Sequence, residues 1–480
     1  MSAIVDGLEP ALVWERFFEL TRIARPSKEE GPARAHVLAW ASARDLEAAT
    51  DAEGNVVVRV PATSGRDGTP VAVLQAHLDM VCERDPDSAF DPREGRIDVR
   101  VDADWVGADG TTLGADNGIG VALALAIVDD ATVEHGPLEL LFTVSEEQGL
   151  DGAKALDATI VAGRRLINLD GTSDGALTVG CAGSDHTTLR FPLSPVDVPP
   201  GRVALRIQLS GGRGGHSGED VGSGRLNALK GLGQVLAAAH GVGPFGLVSF
   251  KGGVSRNAIP REASAVVAVE NLPAFESAAN TALEALQRSH PDEKLSLTYE
   301  RVDADGATTV ETTRRALDLI SAIPTGVVAM SAHLSDTVET SVSLTVARTE
   351  SDELQLSSMA RSSNTAALDE LLERMHGVAR AAGAEIDVRR SYPPWEPLLD
   401  SALLRTARAT FTRLFETEPE LTVVHGGLEC AVLGQKLDGV EMVSIGPEIV
   451  GPHAPGERVR ISSTQRAYRL LSALLDDLSR

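Results

Sequence analysis

The feature that most constrains this chain is a recurrence. Three apolar runs of strand length each stop at a residue able to hold a metal. VAVLQAHLDMV reaches His77 and Asp79, LELLFTV runs into Glu146 and Glu147, and RLINLDG ends in Asp170. Short, continuous apolar runs mark strands buried on both faces of a parallel sheet. In open α/β sheets, sites form beyond the carboxyl ends of the strands. His77 and Asp79 are two apart, so an extended chain points both to one side. A neutral imidazole is a good zinc ligand, and a carboxylate beside it can hold the ring. Glu146 and Glu147 project to opposite sides, so one can bind metal while the other faces substrate as a base. A lone HxD reads as a satisfied histidine at a strand end. Three such strands make a metal site the favoured reading.

The same sheet-forming texture brackets something different. GADGTTLGADNG is a Gly/Asp/Asn loop, and Asp116 stands where it enters the apolar helix GIGVALALAIV. Taken alone, Asp116 is an N-cap before it is a ligand. A Pro/Gly cluster at SPVDVPPGR and another at RRSYPPWEP set the boundaries. The expected organisation is a catalytic part over 1–193 and 396–480, with an α+β domain inserted at 194–395. Inside the insert, GGRGGHSGED is a Gly-rich loop and VETSVSLTVARTESDELQLSSMARSS a hairpin. The fold class is α/β: two domains, a central mixed sheet flanked by helices, and the inserted α+β domain.

Composition narrows the partners. A net charge of -25 argues against nucleic acid and anionic membrane surfaces. The longest apolar run, GVALALAIV, is too short to span a bilayer. Cys82, Cys181 and Cys430 are scattered and form no CxxC, so neither a disulfide framework nor a thiolate zinc site is indicated. With no basic-then-apolar leader read at the N-terminus, a cytoplasmic location fits.

In order along the chain, AHLDMV, LGADNGIG, SEEQGLDGA, LINLDG, GGHSGED with RLNA, RNAIPREA and GPHAPGE resemble the cytosolic nonspecific (Xaa-His) dipeptidases. These belong to the wider aminoacylase–carnosinase group of two-zinc hydrolases. The likeness runs from about residue 10 to 475 and implies a zinc-peptidase fold with a lid or dimerisation insert. It also implies two divalent ions, with Zn2+ favoured over Mn2+ or Co2+, a small unblocked peptide as substrate, and a homodimer formed through the insert. By this resemblance the metal ligands would be His77, Asp116, Glu147, Asp170 and His453, with Asp116 bridging. Glu146 would be the general base, Asp79 would fix His77, and His216 would donate to the oxyanion. Arg361 and Asn257 match substrate-binding positions more weakly. One departure is that the stretch after GGHSG carries no second histidine.

Other readings stand beside this one. A related amidohydrolase could use the same pair of metals on an N-acyl amino acid. A silent binding relative would be expected to lose Glu146 or a bridging ligand, and both are present. A phosphoesterase is disfavoured because no basic phosphate cradle accompanies the acids. His425 and Glu429, in HGGLECA, read as supporting or plain structural residues. His135, His186, His240, His333 and His376 match no motif and read as structural or surface groups.

Overall fold

The computed structural model describes residues 7–480. It divides into two compact units. The first runs to Cys181 and resumes over Trp395–Val423 and Leu428–Arg480; the second holds Ala182–Pro394 and Val424–Gly427. The expected boundary after residue 193 therefore moves back to Cys181. The strand Gly183–Pro192 hydrogen-bonds to Glu353–Ser362 and Glu385–Tyr392, so it belongs to the second unit's sheet. The Pro/Gly cluster that follows only ends this strand; its Val196–Asp197 pairs with Gly306–Ala307 of the same unit. At the other boundary, Trp395 pairs with Cys181 and joins the first unit.

The first unit is built on an eight-stranded mixed sheet. Its heart is Leu138–Thr143, Ala72–His77 and Arg165–Asn168, adjacent and parallel. These are the three strands whose ends carry acids and His77. The His77 strand is buried at every position, as its unbroken apolar run requires. The helix Ala115–Asp129 is apolar on all sides and nearly all buried, and it lies between that strand and the helix Ala11–Leu20. Trp14 and Phe17 are fully buried on the latter. Each stabilises the unit by about 1.5–3 kcal/mol.

The second unit is a nine-stranded antiparallel sheet. The helices Ala228–Val242, Leu272–Ser289, Val310–Ala322 and Thr365–Ala382 share one apolar core with it. Strand Val203–Ser210 alternates between buried and part-exposed residues, as one covered sheet face demands. The expected hairpin is present as Val338–Glu350 paired with Glu353–Ser362. Among the described residues, no helix is long and apolar enough to cross a membrane.

Candidate metal centre

The parallel strand ends gather the polar groups that their sequence promised. His77 ends its strand with Nδ1 3.1 Å from the carbonyl of Asp79 and 3.3 Å from its Oδ1. A proton on Nδ1 satisfies both contacts, which leaves the Nε2 lone pair facing forward. It faces Asp116 Oδ1 at 3.1 Å and Asp170 Oδ1 at 3.6 Å. On the other side, Nε2 of His453 lies 3.3 Å from Asp116 Oδ2 and 3.0 Å from Glu147 Oε2. Asp116 thus turns one oxygen toward each histidine. It is not an N-cap: the cap position is Gly114, no side chain caps this helix, and Asp116 and Asn117 have non-helical backbone angles around a cis peptide bond.

Asp79 sits behind this group. Its two oxygens accept the N–H groups of Glu146 and Glu147, at 3.0 and 3.1 Å, and Oδ2 also takes the Ser27 hydroxyl at 2.7 Å. Burial raises its carboxyl, but His77 and these donors outweigh that and hold it at about 2. One buried acid therefore orients His77 and the Glu146-Glu147 turn together. Glu30 does similar work one residue earlier, accepting the N–H and the hydroxyl of Ser145, whose φ is +51°.

The electrostatics follow from this crowding of acids. Burial raises Asp170, and with the charge of Asp116 brings it to about 7. Burial also lifts Glu146 well above the carboxylate range, with Asp170, Glu147 and Glu429 adding to the rise against the pull of His77. Asp116 is held low: burial would raise it, but the imidazoles of His453 and His77 facing its two oxygens outweigh that. Contacts with Asp116 and Glu147 carry His453 up to about 11. Glu147 Oε1 is buried without a hydrogen-bond partner. Lone pairs from His77, Asp116 and Asp170, and from Asp116, Glu147 and His453, converge within 4.8 Å in each set. Divalent cations fit this donor set, because they neutralise crowded acids and fill lone pairs that no proton serves.

A polar ladder underlies the strand ends. Asn168 donates to Gln75 at 2.6 Å, and Gln75 and Thr143 each donate at 2.6 Å to Glu429. Burial pushes Glu429 up to about 7. Glu429 thus braces the strands two or three residues behind His77, Asp170 and Glu146. A run of apolar letters broken once by Gln75 and once by Asn168 was the only signal of this ladder.

The remaining candidates lie together in the second unit. The two-residue ladder Gly215–His216 with Ala258–Ile259 sets the His216 loop beside Asn257, whose carbonyl accepts the Ser217 N–H at 2.7 Å. Asn257 itself is exposed, its Oδ1 taking the Ser255 hydroxyl. The Glu219 N–H donates to Nδ1 of His216 at 3.1 Å, so the ring carries its proton on Nε2 and offers a donor there. Arg361 is buried; its Nη1 donates to the Tyr392 hydroxyl at 3.2 Å, while its Nε has no partner among the described residues. A Cβ on Gly218 would lie 2.4 Å from the His425 carbonyl and 3.1 Å from Arg361 Nε, so only glycine lets the three approach. His425 is buried against Ser341 at 2.7 Å. Burial, with Arg361 second, lowers it to about 4.

Known proteins resemble this chain along nearly its whole length. The profile of peptidase family M20/M25/M40 matches residues 73–477. The cytosol non-specific dipeptidase of Escherichia coli (strain K12) is 36% identical over 479 residues, covering 99% of both chains. The crystal structure of an aminoacylhistidine dipeptidase from Vibrio alginolyticus superposes with a TM-score of 0.88 at 35% identity, covering 99% of each chain. An aminopeptidase from Bacillus cereus shares the fold at a TM-score of 0.59 and 16% identity, over 98% of this chain and 100% of its own.

Proposed function

The chain belongs to peptidase family M20/M25/M40, and on that premise we propose that it is a two-metal dipeptidase that hydrolyses the peptide bond of unblocked dipeptides. The observation that carries the reading is Asp116, with one carboxylate oxygen toward His77 and the other toward His453. His77, Asp170 and Asp116 would hold one divalent ion; Glu147, His453 and Asp116 would hold the other. Bound there, such ions polarise a carbonyl and lower the pKa of water. Zn2+ suits two imidazoles and three carboxylates, and Mn2+ or Co2+ are the alternatives.

Each side chain then has a task. Glu146 receives the proton of the attacking water and passes it to the leaving amine. A carboxylate is the base for the first half of that transfer and, once protonated, the acid for the second. Asp79 keeps the proton on Nδ1 of His77. His216 offers Nε2–H to the oxygen that becomes negative. Arg361, a buried fork without an acid, suits the free carboxylate of a short peptide, with Asn257 beside the His216 loop. The second unit is proposed to form a homodimer: its edge strand Gly326–Met330 leaves Val327 and Met330 exposed. A cytoplasmic site of action is supported by the name of the Escherichia coli relative.

The test is to strip the protein of metal, reload it with Zn2+, Mn2+ or Co2+, and assay dipeptides, N-acetyl amino acids and a capped tetrapeptide. Dipeptides should be cleaved fastest. Preference for the N-acetyl substrates would move the protein to the aminoacylase type. Absence of turnover in every metal state, with metal shown to bind, would make it a silent relative.

A further inference from the structure

The groups that face the metal centre come from segments far apart in sequence, and two buried charges outside the ligand set hold three of those segments together. Arg25 is about 1% exposed. Its NH1 donates to the carbonyls of Leu78 and Asp79, both at 3.0 Å, and its NH2 to the carbonyl of Gly114 at 2.5 Å. Glu457, equally buried, is its complement. Oε2 accepts the N–H groups of Leu113 and Gly114 at 2.8 and 2.9 Å, and Oε1 accepts that of Asp116 at 3.1 Å.

The turn Leu113–Asp116 is therefore gripped on both of its polar faces. Arg25 takes its carbonyl and fastens it to the end of the His77 strand. Glu457 takes its N–H groups and fastens it to the loop that carries His453. Gly114 is left-handed at φ +71°, and a Cβ there would fall 2.4 Å from Arg25 and 2.6 Å from the Met80 sulfur. The fit between turn and guanidinium leaves no slack. Burying an ion costs several kcal/mol unless hydrogen bonds compensate it. Here each charge makes three hydrogen bonds, all to the backbone of ligand-bearing segments.

We infer that Arg25 and Glu457 are positioning residues that set the metal affinity of the centre, by holding the Asp116 turn in register with His77 on one side and His453 on the other. Neither is a ligand, and neither meets substrate. The inference rests on the two-metal reading and extends it to residues that reading does not use.

Glu457→Gln keeps the side-chain volume but replaces one acceptor oxygen with a donor that faces backbone N–H. Arg25→Lys keeps the charge but loses the fork. Each variant, prepared metal-free, is titrated with Zn2+ by calorimetry and melted before and after metal addition. The dissociation constant for Zn2+ should rise about 10- to 100-fold in each. The metal-free melting temperature should fall as well, because buried backbone groups lose their partners, and KM for a dipeptide should hold at saturating metal. Glu457→Asp, which keeps two acceptors, should recover part of the affinity. Parental affinity in a folded Glu457→Gln overturns the inference, as does a lowered metal-free melting temperature with unchanged affinity. If neither substitution at 457 folds, Arg25→Lys decides on the same two readouts. A parent protein that binds no Zn2+ would be a separate result, and it would remove the metal centre itself.

Discussion

The two units set their buried charges in different surroundings. In the first, Asp79, Asp116, Glu146, Glu147 and Asp170 crowd around His77, with Arg25 the buried guanidinium beneath them. In the second, Arg361 is a buried cation that makes no ion pair among the described residues, while the buried acids Asp185 and Glu293 stand elsewhere in that unit. Both groups are supported by acids: in the second unit Asp220 accepts the N–H of His216. Acids hold the first site through backbone N–H groups, as Asp79 does for Glu146 and Glu147 and Glu457 does for Asp116. Glu147 in the first unit, and Arg361, His425 and Ser217 in the second, each keep a buried polar atom without a partner. Donors left unpaired in a buried place are costly unless a ligand meets them.

Substitutions can break this contrast, and the largest effect belongs to the first unit. Glu146→Gln should lower kcat by about 10²–10⁴-fold while metal stoichiometry, measured by elemental analysis, stays that of the parent. Retained turnover would move the base to another residue. Next comes the second unit's cation. Arg361→Met should raise KM for a dipeptide by about 10- to 100-fold, since a hydrogen bond to a charged group contributes about 1.5–3 kcal/mol. The same substitution should cost little on the C-terminally amidated dipeptide; an equal loss on both substrates would show that Arg361 does not read the carboxylate.

The smallest effect is on stability. His425 is held near 4 by burial, against an ordinary value of 6.5. Between those values the unfolded chain binds a proton that the folded one refuses. The native state therefore loses about 1.4 kcal/mol per pH unit as pH falls through that window, and none above it. Urea unfolding of the parent and of His425→Asn at pH 7 and pH 5 should show a smaller acid loss in the variant. Parallel losses would mean that His425 is not the group titrating.

What sequence could reveal follows the same division. His77, the Glu146-Glu147 pair and Asp170 were legible because parallel strands buried on both faces read as unbroken apolar runs, and the polar residue that stops a run stands at the sheet's edge. Asp116 was not settled by its residues alone: a loop acid before an apolar helix looks like a cap, and only the backbone at Asp116 and Asn117 turns the carboxylate away from the helix. The domain break was misplaced because Pro and Gly mark where a strand stops, not which sheet it joins. Arg25 and Glu457 stayed hidden for another reason. Their partners are backbone atoms, which no residue type reports, although Glu457 stands four places after His453 in the motif GPHAPGE. His425 was ambiguous because segment Val424–Gly427 belongs to the second unit while its chain neighbours on both sides belong to the first.

The spread of the metal-facing groups bears on how the chain folds. His77 and His453 stand near opposite ends of the sequence, yet both face Asp116. Closing so long a loop is entropically slow and comes late. A metal ion would therefore find no complete seat early in folding and would bind a sheet already formed. Zn2+ should leave the refolding rate unchanged and slow unfolding instead, since stabilisation absent from the transition state appears in the unfolding limb. Stopped-flow refolding with and without Zn2+ would check this; faster folding with the ion would place the site's assembly before the barrier.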